Sequence, residues 1–353
     1  MESNAAKPLQ SKPILIILAV GLVAFLLYLF FYVNPVVVAQ TLAQTNLAIY
    51  AVAFLAYMLN TFFSSMVWYR LLNSLEVKVT RRKAFLYNWV GLFFEATVPQ
   101  LGWSAEVSKT YMLAKDSKVD AGKIGASVVW QKIFNMTLTV AMLSTGLVLV
   151  LSSYQLPLLA AFAIGLVLAL SITTLGIVYY VSLKPTATKT LLGWAVKVAR
   201  FFRKSWNSEG FLSKAEGLLG NFHGGVAQLR AKPTALIVPF VYSVTSFVLE
   251  VSVFFLTFAA LGQPLRVDAI FIVFTLTGVL QTAGVAFFGF PELIMTVTLN
   301  TLGIDASIAV AVALLTRVVN LWFRLIISYV ALQWAGIKIM RQNKQQLNEN
   351  PPA

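Results

Sequence analysis

Cysteine is absent from the 353-residue chain, and histidine occurs once. Without cysteine the protein can form no disulfide framework, no thiolate nucleophile and no cysteine metal site. The single histidine, His223, excludes a histidine cluster, and its polar sequence context predicts a solvated side chain. We therefore expect neither a bound metal nor a cofactor.

Charged residues are also scarce, at 11% of the chain, whereas hydrophobic residues make up 59%. A water-soluble core cannot enclose this much apolar surface, but a lipid bilayer can. The composition therefore predicts an all-α, polytopic integral membrane protein.

The sequence also lacks a nucleotide-binding loop, a dinucleotide fingerprint and a Ser/His/Asp set. ATP-driven transport and hydrolysis therefore have no residues to support them. The longest polar segment, 183–232, is near the lower size limit for an independent domain. We do not expect the chain to be an enzyme.

Apolar stretches of about 20 residues match the hydrocarbon thickness of a bilayer. Six continuous stretches meet this length: 13–33, 48–68, 124–151, 156–182, 234–261 and 306–336. The first is longer than the apolar core of a signal peptide, so we expect it to remain as a membrane helix. Two further stretches, 84–101 and 269–302, are interrupted by proline or glycine and predict broken or re-entrant helices.

Basic residues are distributed unevenly between the predicted loops. If both broken stretches return to the side from which they enter, the basic loops share one side: 1–12, 70–83, 109–123, 183–232 and the tail after 338. This positive-inside pattern predicts a multi-pass protein of the cell membrane with both termini in the cytoplasm. The net charge of +14 then reflects a basic cytoplasmic face that attracts anionic lipid, with no nucleic-acid partner.

The same topology divides the chain into five parts. They are an N-terminal transmembrane helix with its outer loop (1–47), a first membrane repeat (48–182), a cytoplasmic amphipathic helical hairpin (183–232), a second, inverted membrane repeat (233–337) and a cytoplasmic tail (338–353). The hairpin either links the repeats or recruits anionic lipid. Inverted repeats with broken helices build midplane substrate sites in many secondary transporters.

Two apolar segments carry the same polar signature. The runs 132–135 and 317–320 each place a cation and an asparagine one helical turn apart. Glu106 precedes the first cation by 26 residues, and Glu292 precedes the second by 25. A charge in hydrocarbon costs at least about 2.5–3.5 kcal/mol, so these residues are not expected to be incidental. We interpret the two runs as halves of one polar site.

Arg317 is the strongest candidate site residue, because it lies far from both predicted ends of its helix. It either faces a functional polar cavity or forms a buried ion pair with Glu250 or Glu292. Glu292 follows a proline at a predicted helix start, so helix capping explains it nearly as well as ion coupling does. Arg324 follows Arg317 by seven residues and is predicted to lie on the same helix face.

Each of the remaining charged candidates also has two possible interpretations. Lys132 either binds a ligand or extends back toward water. Glu106 and Lys109 are three residues apart, so they either belong to the site or form an ordinary surface pair. Glu95 and Glu250 lie in apolar stretches, either as proton-relay residues or as structural hydrogen-bond donors.

Two segments resemble the signatures of a known family. The run 99–109, PQLGWSAEVSK, is similar to the first signature of the lysylphosphatidylglycerol synthase/flippase transmembrane region. The run 289–292, GFPE, followed by Arg317 in the next helix, is similar to its second signature. The resemblance covers roughly residues 48–336.

This resemblance implies movement of a lipid with a charged head group across the bilayer. We therefore expect a flippase for an anionic or lipid-phosphate-linked amphiphile, which is glycosylated or aminoacylated in some members. The residues expected to bind the head group are Arg317, Arg324, Lys132, Lys109, Asn135 and Asn320. The residues expected to balance charge or carry protons are Glu106, Glu292, Glu95 and Glu250.

Two other functions compete with transport. The chain could instead scaffold a lipid-modifying enzyme, such as a glycosyltransferase or a lipid synthase, in which case the polar interior is static packing. An enzyme acting on a lipid phosphate is a weaker alternative, because neither a nucleophile nor a metal-ligand cluster is present to begin the reaction.

Overall fold

The computed structural model describes residues 35–97, 103–117, 119–153, 158–202, 209–263, 266–282 and 289–349, together with Val23 and Leu27. Within these residues every regular element is helical, which confirms the all-α prediction. The predicted helix 13–33 lies outside the described residues, apart from Val23 and Leu27.

The helices are numbered in chain order. The first group is α1 (Pro35–Ala43), α2 (Leu47–Ser74), α3 (Arg81–Thr97), α4 (Ser104–Ser117), α5 (Ala121–Ser153) and α6 (Leu158–Leu183). The second group is α7 (Pro185–Phe202), α8 (Glu209–Ala231), α9 (Thr234–Ala260), α10 (Val267–Thr282) and α11 (Phe290–Thr301). The last membrane segment comprises α12 (Ala306–Arg317), a π-helical segment (Val318–Phe323) and α13 (Arg324–Glu349).

Five helical segments are long and apolar enough to cross a bilayer. They are Leu47–Ser74, Ala121–Leu149, Ala161–Leu183, Thr234–Ala260 and Ala306–Gly336. These segments confirm five of the six continuous spans predicted from the sequence. Many of their apolar side chains face outward, as expected for helices surrounded by lipid rather than water.

The two stretches predicted to be broken both contain a helix end. Helix α3 ends at Thr97 and α4 begins at Ser104, while α10 ends at Thr282 and α11 begins at Phe290. The start of α11 is held by Gly289, whose φ of 89° favours glycine, and by a hydrogen bond from its N–H to the Glu292 carboxylate. At each of these two places the chain therefore forms two short helices instead of one straight span.

Long helices of the first half of the chain pack against helices of the second half. Helix α2 packs along α9 at the centre, α3 packs against α13, and α10 packs against α5. One apolar core includes Trp68, Tyr87, Leu113 and Leu229, and a second includes Phe254, Ile270, Leu299 and Val312. The charged and polar residues identified from the sequence lie on the helices that these cores hold together.

The stretch predicted as a hairpin contains helices α7 and α8, and α8 packs against α5. The prediction of a solvated His223 is wrong, because its ring is half-buried and hydrogen-bonded at both nitrogens. Its Nδ1 lies 3.1 Å from the Ser182 carbonyl oxygen, and its Nε2 lies 3.0 Å from Thr188 Oγ1. Burial lowers the pKa of His223. The side chain thus joins the end of α6 to both hairpin helices.

Close approach of α8 to α5 depends on a small residue at Gly122. A Cβ added there would overlap the Leu218 backbone oxygen, so the helices would have to separate. We expect Gly122→Ala to destabilise the fold by about 1–3 kcal/mol, the usual cost of overpacking. The measurement is the thermal midpoint in detergent.

Gly220→Ala is the matched control, because a Cβ at that exposed position of α8 meets nothing within 4 Å. We expect no loss of stability there, since alanine favours the helix over glycine. An equal loss in both variants would contradict the packing of α8 on α5.

Candidate functional site

A polar cavity of about 190 Å³ lies among helices α2, α3, α4, α5, α9 and α13. Uncharged polar side chains form much of its lining: Tyr57, Asn60, Thr61, Ser64, Asn88 and Gln131. It also brings together seven of the residues predicted from the sequence: Glu95, Glu106, Lys109, Lys132, Asn135, Glu250 and Arg324. Such a concentration of ionisable groups between membrane helices marks a candidate functional site.

Lys132 and Glu106 form an ion pair at the cavity wall. Lys132 Nζ lies 3.1 Å from Glu106 Oε1, and 5.3 Å from the centre of the Trp103 ring. The two charged side chains retain 16% and 15% exposure, so the cavity reaches both. Lys132 lies 11 residues into α5, about 17 Å along the helix axis. The ion pair therefore lies deep along the membrane helix, and it is still accessible from the cavity.

Lys109 is a second cation of the same wall and is itself buried. Its Nζ donates a hydrogen bond of 2.9 Å to Gln131 Oε1 and lies 5.1 Å from the centre of the Trp68 ring. Gln131 in turn donates to the Ser64 carbonyl oxygen at 2.9 Å. Lys109 and Glu106 thus have separate partners and do not form the surface pair that was one reading of the sequence.

Arg324, Glu95 and Glu250 line the cavity from α13, α3 and α9. Arg324 Nη1 lies 3.8 Å from Glu95 Oε2, and Tyr57 lines the cavity beside them. Two carboxylates and one guanidinium therefore meet on this side, whereas two lysines and one carboxylate meet on the α4–α5 side. The formal charges of the whole lining sum to zero. The α4–α5 side has an excess of positive charge, and the opposite side has an excess of negative charge.

Two asparagines connect the cavity wall to α9. Asn135 Oδ1 accepts a hydrogen bond of 3.0 Å from Ser243, and Asn60 Oδ1 accepts one of 2.5 Å from Ser246. Sequence reasoning identified Asn135 by its spacing from Lys132 but missed Asn60, Gln131 and the serines. Their only sequence signal is a polar side chain within an apolar span.

Arg317 and Glu292 are not among the residues that line this cavity. They form a buried ion pair of their own, with Arg317 Nε 2.5 Å from Glu292 Oε1. The second carboxylate oxygen of Glu292 accepts the 2.9 Å hydrogen bond from Gly289. Glu292 therefore both forms an ion pair with Arg317 and caps the start of α11, two roles that the sequence had raised separately.

Asn320 also lies outside the cavity lining, and its Oδ1 is buried without a hydrogen-bond partner in the described part of the chain. It belongs to the π-helical segment Val318–Phe323. The α-helical spacing assumed for Arg317 and Arg324 is therefore wrong, because this segment separates them and their carboxylate partners lie on different helices.

The two ion pairs differ in burial, with side-chain exposures of 8% and 7% for Arg317 and Glu292. Removing one partner of a buried pair leaves an uncompensated charge. We therefore expect Glu292→Ala to destabilise the protein by about 3–5 kcal/mol, and Glu106→Ala to cost clearly less because the cavity reaches Lys132. The thermal midpoint in detergent tests this order.

The control replaces both partners, in the variant Arg317→Met with Glu292→Met. We expect it to be more stable than Glu292→Ala, because no buried charge remains unpaired. Equal midpoints for Glu292→Ala and Glu106→Ala would show that the two pairs have the same environment.

Comparison with known proteins gives a consistent assignment. Residues 16–328 match the sequence profile of the family described as "Lysylphosphatidylglycerol synthase TM region". A UPF0104 membrane protein of Methanocaldococcus jannaschii is 22% identical over 314 residues, which cover 87% of this chain and 91% of the relative. A UPF0104 membrane protein of Methanothermobacter thermautotrophicus is 24% identical over 293 residues, covering 79% and 83%. Because the profile spans most of the chain, this multi-pass membrane protein belongs to the lysylphosphatidylglycerol synthase transmembrane-region family.

Proposed function

We propose that the protein moves a lipid with a phosphate-bearing head group across the cell membrane, through the polar cavity. The observation that supports this proposal is the cavity itself, which joins three cations and three carboxylates between helices from both halves of the chain. A polar head group needs such surroundings, because it cannot cross hydrocarbon without partners.

The phosphate is assigned to the side of the cavity formed by α4 and α5. Lys109 and Lys132 place two ammonium groups there against the single carboxylate of Glu106. Arg324 supplies a third cation from the opposite side, and Asn135 supplies an amide for head-group hydroxyls. Glu95 and Glu250 balance these charges or carry protons during transport.

The inverted repeat remains part of the proposal and gains support from local geometry. Asp120 accepts the Gly122 N–H at 2.8 Å at the start of α5, and Asp305 accepts the Ser307 N–H at 2.8 Å at the start of α12. In each helix the cation follows the capping aspartate by 12 residues. Each cation then pairs with a glutamate at the beginning of the preceding helix.

In this scheme the two ion pairs occupy equivalent positions in opposite halves of the membrane. The pair of Lys132 and Glu106 faces the cavity, whereas the pair of Arg317 and Glu292 is closed. Alternating access requires the two halves to exchange these arrangements. Arg317 thereby retains the head-group role expected from the sequence, in the opposite state of the cycle.

The proposed orientation places both termini and the α7–α8 pair on the cytoplasmic side. Exposed Leu191 and Trp194 of α7, together with exposed Lys189 and Lys197, suit a helix at the surface of anionic lipid. The proposal assigns no catalytic step to the chain, since it requires only binding and conformational change.

Reconstitution in liposomes tests the proposal. The vesicles carry fluorescently labelled phosphatidylglycerol or a labelled polyprenyl phosphate, and a membrane-impermeant quencher reports which leaflet holds the label. We expect Lys132→Met and Arg324→Met to reduce the transport rate at least about tenfold, because each removes a charged partner of the phosphate.

Lys184→Met is the matched control, because Lys184 is exposed and lies outside the cavity lining. It is expected to transport at the wild-type rate. Equal rates for wild type, Lys132→Met, Arg324→Met and Arg317→Ala would contradict the proposed site. Absence of transport with either lipid would favour a static scaffold for a lipid-modifying enzyme.

A further inference from the structure

The π-helical segment Val318–Phe323 interrupts the last membrane helix between its two arginines. A π-helical turn accommodates one more residue than an α-helical turn, and such segments are frequent at functional sites. One additional residue rotates everything that follows by about 100° relative to a continuous α-helix. The segment therefore decides which way Arg324 points relative to Arg317.

The contacts of the two arginines agree with this rotation. In a continuous α-helix, residues seven positions apart lie on nearly the same face. Here Arg317 pairs with Glu292 of α11, whereas Arg324 lines the cavity beside Glu95 of α3. The π-helical geometry thus allows one helix to serve two separate polar clusters.

Helix α2 contacts the last residue of the π-helical segment and the helical turn that precedes the segment, through three aromatic residues at helical spacing. The Tyr50 hydroxyl donates a 2.7 Å hydrogen bond to the Leu315 carbonyl oxygen, just before the segment. The Phe54 ring lies edge-on to the Phe323 ring at 5.0 Å, and the Tyr57 ring lies 6.3 Å from it. Tyr50 also stacks edge-on with Phe54 at 5.2 Å, so the contacts are continuous.

The helix has unsatisfied groups around this segment. Thr316 Oγ1, Asn320 Oδ1 and Arg324 Nε are buried without a hydrogen-bond partner among the described residues. Unsatisfied buried groups are costly, so the local geometry needs stabilisation from outside the helix. The Tyr50 hydroxyl supplies such a contact from α2, by donating to the Leu315 carbonyl oxygen in the helical turn before the segment.

We infer that Tyr50 is a positioning residue, which stabilises the π-helical segment through the Leu315 carbonyl and thereby directs Arg324 into the cavity. The geometric part of this inference stands by itself, and only its consequence for lipid movement rests on the proposed function. It assigns a role to a residue that lies outside the cavity lining.

Cross-linking tests the inference directly, because the chain contains no native cysteine. The reporter pair is Glu95→Cys with Arg324→Cys, bridged by a short bis-methanethiosulfonate reagent in the full-length protein in detergent. We expect Tyr50→Phe, which removes only the hydroxyl, to lower the yield about fivefold, as expected for loss of one hydrogen bond. The control pair Glu106→Cys with Lys132→Cys does not involve the last helix and should keep its yield.

A deletion distinguishes helix register from general damage. Removing Val318, which is 39% exposed within the segment, allows a continuous α-helix with Arg317 and Arg324 facing as they do now. We expect this deletion to restore the reporter yield in the Tyr50→Phe background. An unchanged yield in Tyr50→Phe, or failure of the deletion to restore it, would overturn the inference.

If Tyr50→Phe also lowers the yield of the control pair, the deletion of Val318 is measured with Tyr50 present. The inference then requires the reporter yield to match that of the undeleted chain, and its loss would reject the assigned register. Transport is measured separately on liposomes with Tyr50→Phe. An altered cross-link with unaltered transport of either labelled lipid would count against the proposed function and leave the positioning role in place.

Discussion

A charge inside the membrane must have a partner, and this constraint organises the protein. Lys132 and Arg317 each lie 11 residues from the start of a membrane-spanning helical segment, too deep for water at its end to neutralise them. Each is neutralised by a glutamate on the short helix that precedes its own. The broken stretches are therefore needed, because a straight span would not place the start of α4 or α11 beside the cation.

The two ion pairs show how one arrangement can serve different purposes. At Glu106 one oxygen pairs with Lys132, while the other is buried without a hydrogen-bond partner in the described chain. At Glu292 both oxygens are engaged, one by Arg317 and the other by Gly289. The first pair retains capacity to bind a further donor, and the second is complete. This difference is why the first pair is the better candidate for contact with a head group.

Sequence reasoning identified the charged residues of the site but not its shape. The near-equal spacing of Glu106 from Lys132 and of Glu292 from Arg317 indicated four residues of a polar site, because a buried charge leaves a clear signal in an apolar segment. An ion pair of Arg317 with Glu292 was one of the alternatives, whereas the pair of Lys132 with Glu106 was not predicted. The position of Arg324 was assigned on α-helical spacing, since hydrophobic periodicity does not report one additional residue in a turn. Asn60 and Gln131 escaped notice because an uncharged polar side chain costs too little in a membrane helix to stand out.

The two oxygens of Glu292 have different partners, and this difference affects how the start of α11 responds when its surroundings change. One oxygen binds the guanidinium, and the other closes the helix start through the Gly289 N–H. Separation of the arginine leaves the capping contact intact, so the first turn of α11 has no reason to unwind. The capped start of α11, Gly289 included, therefore keeps its geometry whether or not the guanidinium is in contact.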